Sequence, residues 1–382
     1  MTDTVVALES KHYWLIALGA VVTWVAVLLA ASNPVDFMSF YAAGNLLLRH
    51  PHSLYSVKAQ WEAQNAVVGG LLPWAHPAPE ALLFAPLTLL SYHRAFAVWN
   101  VISISMFVVS GWLLRDEILG LTTGGRWALL AFSYYPISNG LLVGQDHGLF
   151  LLLWVLAYRS WKAGDEFASG LWIGLSLIRY QFAVPMLLFF VAVRAWKLLR
   201  GVAVSSCALL AASFLIVGPG LIPSYLGVVR CLALVSDTGA LRSLPTIRGF
   251  AALVLPSHCG VAAAICAFCL LAWALATVRG MSRPNAFCFA MVISLLVDPH
   301  AYLYELTVLS IPFMLFLKKC PSSALLAFII FALSFALDVT RTDLFSVLCV
   351  VLLVWATWMN RVFRQRLDSH ESVAFGVRAE SR

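Results

Sequence analysis

The chain has 382 residues, of which 62% are hydrophobic and only 11% are charged. Because a soluble domain carries roughly 25% charged residues, this composition excludes an ordinary soluble fold and favours an integral membrane protein. The formal net charge is +7, but the basic residues lie in small groups between apolar runs, so we expect membrane lipids and no nucleic acid among the partners.

Apolar runs recur along the whole chain. In chain order they cover residues 14–31, 78–90, 95–114, 127–143, 147–161, 167–178, 182–196, 202–217, 261–278, 286–297, 301–317, 324–337 and 344–359. A crossing needs about 20 mainly apolar residues and several runs are shorter, so we expect roughly 11 to 13 transmembrane helices. The pattern predicts an all-α polytopic membrane protein, with a single domain over residues 1–360 and a polar cytoplasmic tail over residues 361–382.

The loop after the first run, residues 32–77, is long and partly polar. Within it, residues 36–49 and 54–68 mix aromatic and aliphatic side chains with charged ones, and neither stretch is apolar enough to span a membrane. We predict two interfacial amphipathic helices that lie along the membrane surface. Such a loop suits a site that meets a lipid head group.

Basic residues indicate the orientation. Four basic groups lie between or after the later runs: Arg194, Lys197 and Arg200; Arg279 and Arg283; Lys318 and Lys319; Arg361, Arg364 and Arg366. The positive-inside rule assigns them to the cytoplasm, which leaves the first loop and residues 179–181, 218–250, 298–304 and 338–343 on the opposite side. This assignment requires that one of the runs between the first loop and Arg179 does not cross, and the run 78–90, interrupted by Pro86, is expected to be re-entrant.

Asp36 stands at the start of the first predicted loop helix. Its carboxylate is a candidate general base that faces an acceptor hydroxyl. The same position also suits an N-cap that binds the backbone N–H groups of the following helix. Both interpretations stay open, and they are compatible.

Arg179 and Gln181 interrupt two apolar runs on the predicted non-cytoplasmic side. The cation is a candidate to neutralise a phosphate leaving group, with Gln181 adding a hydrogen bond. The alternative is an arginine at a helix end that snorkels to the interface. We favour phosphate binding because the positive-inside bias does not explain a cation on this side.

Two further polar positions interrupt the apolar sequence. Gln145 and Asp146 belong to a break that is either a substrate-facing turn or the connector of a helical hairpin. His76 and Glu80 are four residues apart at a membrane edge, where a structural histidine is the commoner outcome.

A third polar group lies in residues 298–305, where His300 and Tyr304 share one face if the segment is helical. Asp298 and Glu305 next to this histidine suggest a metal site. No HExxH-type pattern is present, so we expect no cofactor and do not favour a divalent metal.

Five motifs in this order resemble glycosyltransferase family 87, the integral membrane mannosyltransferase-like proteins of the GT-C superfamily. The first motif is DFMSFYAAGNLLL (36–48) with LYS (54–56), which resembles the opening loop of the family, and the second is HPAPEALLFAPLTLL (76–90) followed by AFAVWN (95–100), which resembles its proline-rich element. The third, GQDHGLFLLL (144–153), resembles the GQNG break of the family, and the fourth, RYQFAVPMLL (179–188) after SGLWIGLSL (169–177), resembles its KPQ stretch. The fifth, DPHAYLYELTVL (298–309), resembles PYxxxYDL. The match runs from Asp36 to Pro312.

The resemblance implies a GT-C bundle in the bacterial plasma (inner) membrane that works on its periplasmic or exterior face. It implies inverting transfer of a hexose, usually mannose, from a polyprenyl-phosphate sugar to a lipid or glycan acceptor, with Asp36 as general base. The expected contacts to the donor phosphate and sugar are Arg179, Gln181, Gln145, His300, Tyr304 and Glu305. The expected acceptor or supporting residues are Tyr41, His76, Glu80 and Asp146.

The chain also departs from the family pattern. Arg179 stands where the family usually has lysine, Tyr180 replaces the proline of KPQ, and Glu305 replaces the aspartate of the YD pair. These changes bear on the identity of sugar and acceptor more than on the fold.

The alternative function is a transporter or flippase of a polyprenyl-linked glycan, which would place ionisable residues along a pathway at mid-helix, often with internal symmetry. Here they cluster at the ends of runs, which favours the enzyme.

Overall fold

A computed structural model of the chain describes residues 35–68, 70–117, 134–235, 241–317, 329–330, 333–337 and 344–363. The predicted first span, 14–31, lies outside the described residues, as do parts of the predicted spans 127–143 and 324–337 and residues 364–382 of the tail.

All regular secondary structure in the described ranges is helical, which confirms the all-α prediction. The helices are α1 Val35–Arg49, α2 Val57–Val68, α3 Ala78–Leu89, α4 Tyr92–Leu113, α5 Tyr135–Val143, α6 His147–Ala163, α7 Glu166–Leu175, α8 Tyr180–Ala192, α9 Trp196–Val217, α10 Leu221–Val235, α11 Ile247–Val254, α12 Cys259–Val278, α13 Arg283–Val297, α14 Ser310–Leu317 after the 3₁₀ turn Leu303–Leu309, and α15 Phe345–Phe363.

Five helical runs among the described residues are long and apolar enough to cross a membrane. They are Tyr92–Leu113, Glu166–Ala192, Trp196–Val217, Pro256–Val278 and Phe345–Phe363. Shorter apolar helices include α3 and α13. The chain is therefore a polytopic membrane protein.

The run Glu166–Ala192 is a hairpin of α7 and α8. A Cβ atom at Gly170 of α7 would overlap the carbonyl oxygen of Leu198 in α9, and one at Gly174 would meet the next turn of α9. The contacts advance in the same direction along both helices, so α7 and α9 are parallel and the connecting helix α8 runs the opposite way. The hairpin turns at Arg179, where the backbone leaves helical geometry with φ −118° and ψ 70°.

The bundle has two chemically different ends, which we call the site end and the far end. Asp36 and Arg179 lie at the site end, joined through hydrogen bonds described below. At the far end, Arg283 Nη2 donates to Glu166 Oε1 at 2.8 Å, close to the start of α9 with its basic residues 194–200. This arrangement agrees with the predicted separation of the polar islands from the basic groups.

Both helices predicted in the first loop exist, and most side chains of α1 are buried within the protein. Phe37, Met38 and Phe40 of α1 are completely or almost completely buried, and the helix packs on α2 and α3. Gly44 allows this packing, because a side chain there would overlap the backbone of Phe84. Helix α1 is therefore covered by protein over most of its surface, and its predicted placement along the membrane surface stays a prediction.

Helix α3 begins and ends at the site end. Glu80 near its start lies beside Asp146, and the Tyr41 hydroxyl donates to the carbonyl oxygen of Leu90, just after its end, at 2.8 Å. Because both ends of α3 lie at the same end of the bundle, α3 does not cross the membrane, in agreement with the re-entrant run predicted for residues 78–90.

Candidate active site

Five polar side chains from separate parts of the chain meet at the site end. They are Asp36 of α1, Gln145 and Asp146 of the turn between α5 and α6, Arg179 at the tip of the α7–α8 hairpin, and Glu305 in the turn Leu303–Leu309. We call them the ion cluster. All five are sequence-predicted site residues, and the fold brings them into contact.

Local backbone geometry presents the turn that carries Gln145. Gly144 ends α5 with φ 76°, in the left-handed region that glycine adopts without steric cost. A side chain there would also overlap Phe37 of α1. The Trp99 indole donates to the Gln145 carbonyl oxygen at 3.2 Å, and a ring nitrogen of His147 lies 3.2 Å from the same oxygen. The turn thus directs the Gln145 side chain to α1.

Arg179 lies at the centre of the ion cluster. Its Nε donates to Asp146 Oδ1 at 3.1 Å, its Nη2 donates to Gln145 Oε1 at 2.8 Å and to Asp146, and its Nη1 donates to Glu305. The guanidinium carbon lies 5.5 Å from the ring centre of Tyr304. These contacts use four of the five N–H donors of the guanidinium, so the described structure leaves one Nη1 hydrogen for the predicted phosphate contact, which stays a prediction.

Asp36 lies inside the first turn of α1, one residue beyond the helix start. Its Oδ2 accepts a hydrogen bond from Gln145 Nε2 at 2.8 Å, so the carboxylate is bound by another part of the chain. Burial raises the pKa of Asp36, and the Gln145 hydrogen bond and the Arg179 charge oppose that rise without cancelling it. The side chain is half-buried, so it is both positioned and accessible.

His76 and Glu80 adjoin the ion cluster. His76 Nδ1 lies 2.9 Å from Glu80 Oε2, and the carboxyl groups of Glu80 and Asp146 face each other. Burial lowers the pKa of His76, but the Glu80 carboxylate outweighs burial and leaves that pKa above its ordinary value. The ring also stacks on Trp74 at 5.8 Å, so His76 combines a packing role with a polar one.

His300 faces a cation that the sequence analysis did not single out. Arg248 Nη1 lies 3.4 Å from His300 Nε2 and donates to the carbonyl oxygen of Pro299 at 3.1 Å. Burial and the Arg248 charge both lower the pKa of His300. The signal for Arg248 was its place in residues 218–250, on the side where the positive-inside rule does not account for a cation.

Two predicted residues lie beside the cluster and make no hydrogen bond to it that the described part of the chain shows. Tyr41 packs edge-on against Tyr92 and binds the chain end of α3. Gln181 is half-buried at the start of α8. Their predicted roles toward substrates stay predictions.

Comparison with known families identifies the chain. A family model described as glycosyltransferase family 87 matches residues 74–299, more than half of the sequence. The chain belongs to glycosyltransferase family 87. Comparisons with curated proteins and with solved structures gave no match.

Family membership makes the protein a membrane glycosyltransferase, an enzyme that binds a sugar donor and an acceptor, and it sets the flippase alternative aside. The matched region includes Arg179, Gln145 and Asp146, whereas Asp36 and Glu305 of the ion cluster lie outside it.

Proposed function

We propose that this glycosyltransferase transfers a hexose, with mannose as the first candidate, from a polyprenyl-phosphate sugar to a lipid or glycan acceptor. The reaction inverts the anomeric carbon and takes place in a GT-C-type bundle, on the non-cytoplasmic face of a bacterial plasma (inner) membrane. Asp36 is the general base.

The observation that carries this proposal is the Asp36 carboxylate held by Gln145 at 2.8 Å at the site end. A general base works best when its pKa is close to the working pH. The raised pKa of Asp36 moves it in that direction. Its partial exposure leaves room for an acceptor hydroxyl.

The position of the site supports a lipid-linked donor. The ion cluster lies at the end of the bundle opposite Glu166 and Arg283, and the positive-inside rule assigns basic groups such as Arg283 to the cytoplasm. A nucleotide sugar carries charged phosphates and has no apolar anchor, so it does not pass through the bilayer unassisted. A sugar carried on a polyprenyl phosphate reaches the other face within the bilayer.

In the proposed reaction, the acceptor oxygen bonds to the anomeric carbon from the face opposite the phosphate. The bond between that carbon and the phosphate oxygen breaks, and Asp36 takes the acceptor proton. Arg179 keeps its predicted contact to the phosphate through its remaining Nη1 hydrogen, and the half-buried Arg248 with His300 adds a second positive contact. Arg179 also positions the carboxylates, and Glu305 and Tyr304 line the sugar.

The test is sugar transfer from radiolabelled polyprenyl-phosphate mannose to extracted envelope lipids and glycans in proteoliposomes. We expect Asp36→Asn to lower the transfer rate by about 10²- to 10⁴-fold, because general-base catalysis contributes that much. Asp116→Asn is the matched control, since Asp116 has an exposed side chain far from the site. Equal rates for wild type and Asp36→Asn would remove Asp36 as the base. Absence of transfer from every lipid-phosphate sugar by the wild type would remove the donor class.

A further inference from the structure

Asp146 of the ion cluster also belongs to a compact group of potential metal ligands, together with His76 and Glu80. One nitrogen or oxygen atom from each lies within 4.8 Å of the others. Glu80 and Asp146 are 4% and 0% exposed, so solvent does not satisfy their charges.

Two oxygens in this group have no donor within the described structure. Glu80 uses Oε2 toward His76 and leaves Oε1 without a hydrogen bond. Asp146 uses Oδ1 toward Arg179 and leaves Oδ2 without one. A buried carboxylate oxygen without a partner is costly, so two that face each other indicate a missing positive charge or proton.

The local charge balance points the same way. Asp36, Glu80, Asp146 and Glu305 are four carboxylates, against which the described structure sets the guanidinium of Arg179 and the imidazole of His76, so the carboxylates stay in excess. A phosphate-bearing donor would add further negative charge beside them. A cation would offset this excess.

We propose that His76, Glu80 and Asp146 bind a divalent metal cation. Three ligand atoms that lie within 4.8 Å of one another leave room for an ion at most about 2.8 Å from each, and small side-chain shifts bring this to metal–ligand distances of roughly 2.0–2.6 Å. One imidazole with two carboxylates suits Mn²⁺ or Zn²⁺ better than Mg²⁺ or Ca²⁺. The cation lies on the side of Asp146 away from Arg179 and neutralises the Glu80–Asp146 pair.

The competing explanation is a proton shared by the two carboxyl groups. Glu80→Gln separates the two, because its amide can donate to Asp146 as a protonated Glu80 would. A shared proton predicts that this variant is as stable as wild type or more so. A metal site predicts loss of the ion.

The experiment measures metal bound to the full-length protein in detergent after EDTA treatment and dialysis against Mn²⁺, Zn²⁺, Mg²⁺ or Ca²⁺ in turn. We expect about one equivalent of Mn²⁺ or Zn²⁺ per chain and a higher melting temperature with the ion than without it. Glu80→Gln should weaken binding by at least about tenfold, since even supporting residues of metal sites contribute that much. Glu62→Gln, at an exposed residue of α2, should bind as wild type does.

The proposal is overturned if the wild type binds none of the four ions at millimolar concentration, or if Glu80→Gln binds metal as tightly as wild type. If Glu80→Gln does not fold, His76→Gln takes its place, because it keeps both carboxylates and removes one ligand. The readout is bound metal and not sugar transfer, so failure of Asp36 as general base leaves this inference intact, and the converse holds.

Discussion

The two ends of helix α7 carry the same ion-pair chemistry in opposite surroundings. At the site end, Arg179 contacts Asp146 and Glu305, and the three side chains are 9%, 0% and 13% exposed. At the far end, Arg283 pairs with Glu166 at 2.8 Å, and these side chains are 51% and 18% exposed. Water solvates the charges of the far-end pair when the pair is broken, whereas the site-end charges are compensated only by one another within the described structure.

The difference in exposure indicates that the ion pairs at the two ends have different roles. An exposed ion pair adds little stability, since water replaces the partner at small cost. A buried network is no more stabilising than apolar packing would be, but removal of one member leaves a charge without compensation. Arg179 is therefore retained for the geometry that it imposes on Asp146 and Glu305, which an apolar side chain cannot reproduce.

The largest expected effect follows from removing the central cation. Arg179→Met should lower the free energy of unfolding by about 3–5 kcal/mol, because Asp146 and Glu305 become unpaired buried charges. Thermal melting in detergent measures this loss, and sugar transfer should disappear with it. Arg179→Lys keeps the charge but not the fork of donors, so it should fold better than Arg179→Met and still transfer poorly. A melting temperature equal to wild type for Arg179→Met would show that the ion cluster does not contribute to the stability of the fold.

The middle of α7 packs against α9 through glycine contacts and not through an ion pair. A substitution there tests whether this close helix contact stabilises the hairpin in addition to its charged tip. Gly170→Leu should destabilise the protein by about 1–3 kcal/mol, because a side chain would force α7 away from Leu198 of α9. Gly227→Leu in α10 is the matched control, since a Cβ atom at Gly227 meets no atom within 4 Å. Equal melting temperatures for the two variants would contradict the close helix contact.

The sequence predicted the membership of the ion cluster better than its connections. Gln145, Arg179 and Glu305 were recognised because polar residues inside apolar runs stand out without any tertiary information. Their pairing depends on tertiary packing that brings the turn before α6, the tip of the α7–α8 hairpin and the turn Leu303–Leu309 together, and no local pattern reveals that packing. The prediction that Arg179 contacts phosphate follows from its charge and its predicted side of the membrane, and its carboxylate partners come from distant parts of the chain, where no local pattern shows them.

The first loop gives the same lesson at the level of helices. Residues 36–49 and 54–68 were predicted as helices, and the structure has them at Val35–Arg49 and Val57–Val68. Their placement was the harder question, because α1 is buried by α2 and α3 and its own sequence does not show what covers it.

A smaller effect should separate positioning from charge within the site end. Gln145→Leu removes the hydrogen bond that lowers the pKa of Asp36, so this pKa should rise further. The base acts when deprotonated, so transfer increases with pH through this pKa, and the rising limb should move to higher pH in the variant. The measurement is the pH profile of kcat/KM for wild type and variant. A limb that stays in place or moves to lower pH would separate Gln145 from the ionisation of Asp36.

The smallest expected effect belongs to the far end. Arg283→Ala should change the free energy of unfolding by no more than about 1 kcal/mol, because its pair with Glu166 is solvated and its guanidinium only covers Trp161, at 5.1 Å from the ring centre. Salt sharpens the contrast with Arg179. Raising the ionic strength should erase the small difference between wild type and Arg283→Ala, since exposed charges are screened, and should leave the difference for Arg179→Met unchanged. Melting curves of the three proteins at low and high salt measure both effects. A far-end loss as large as the site-end loss would mean that burial does not decide the cost of breaking an ion pair in this protein.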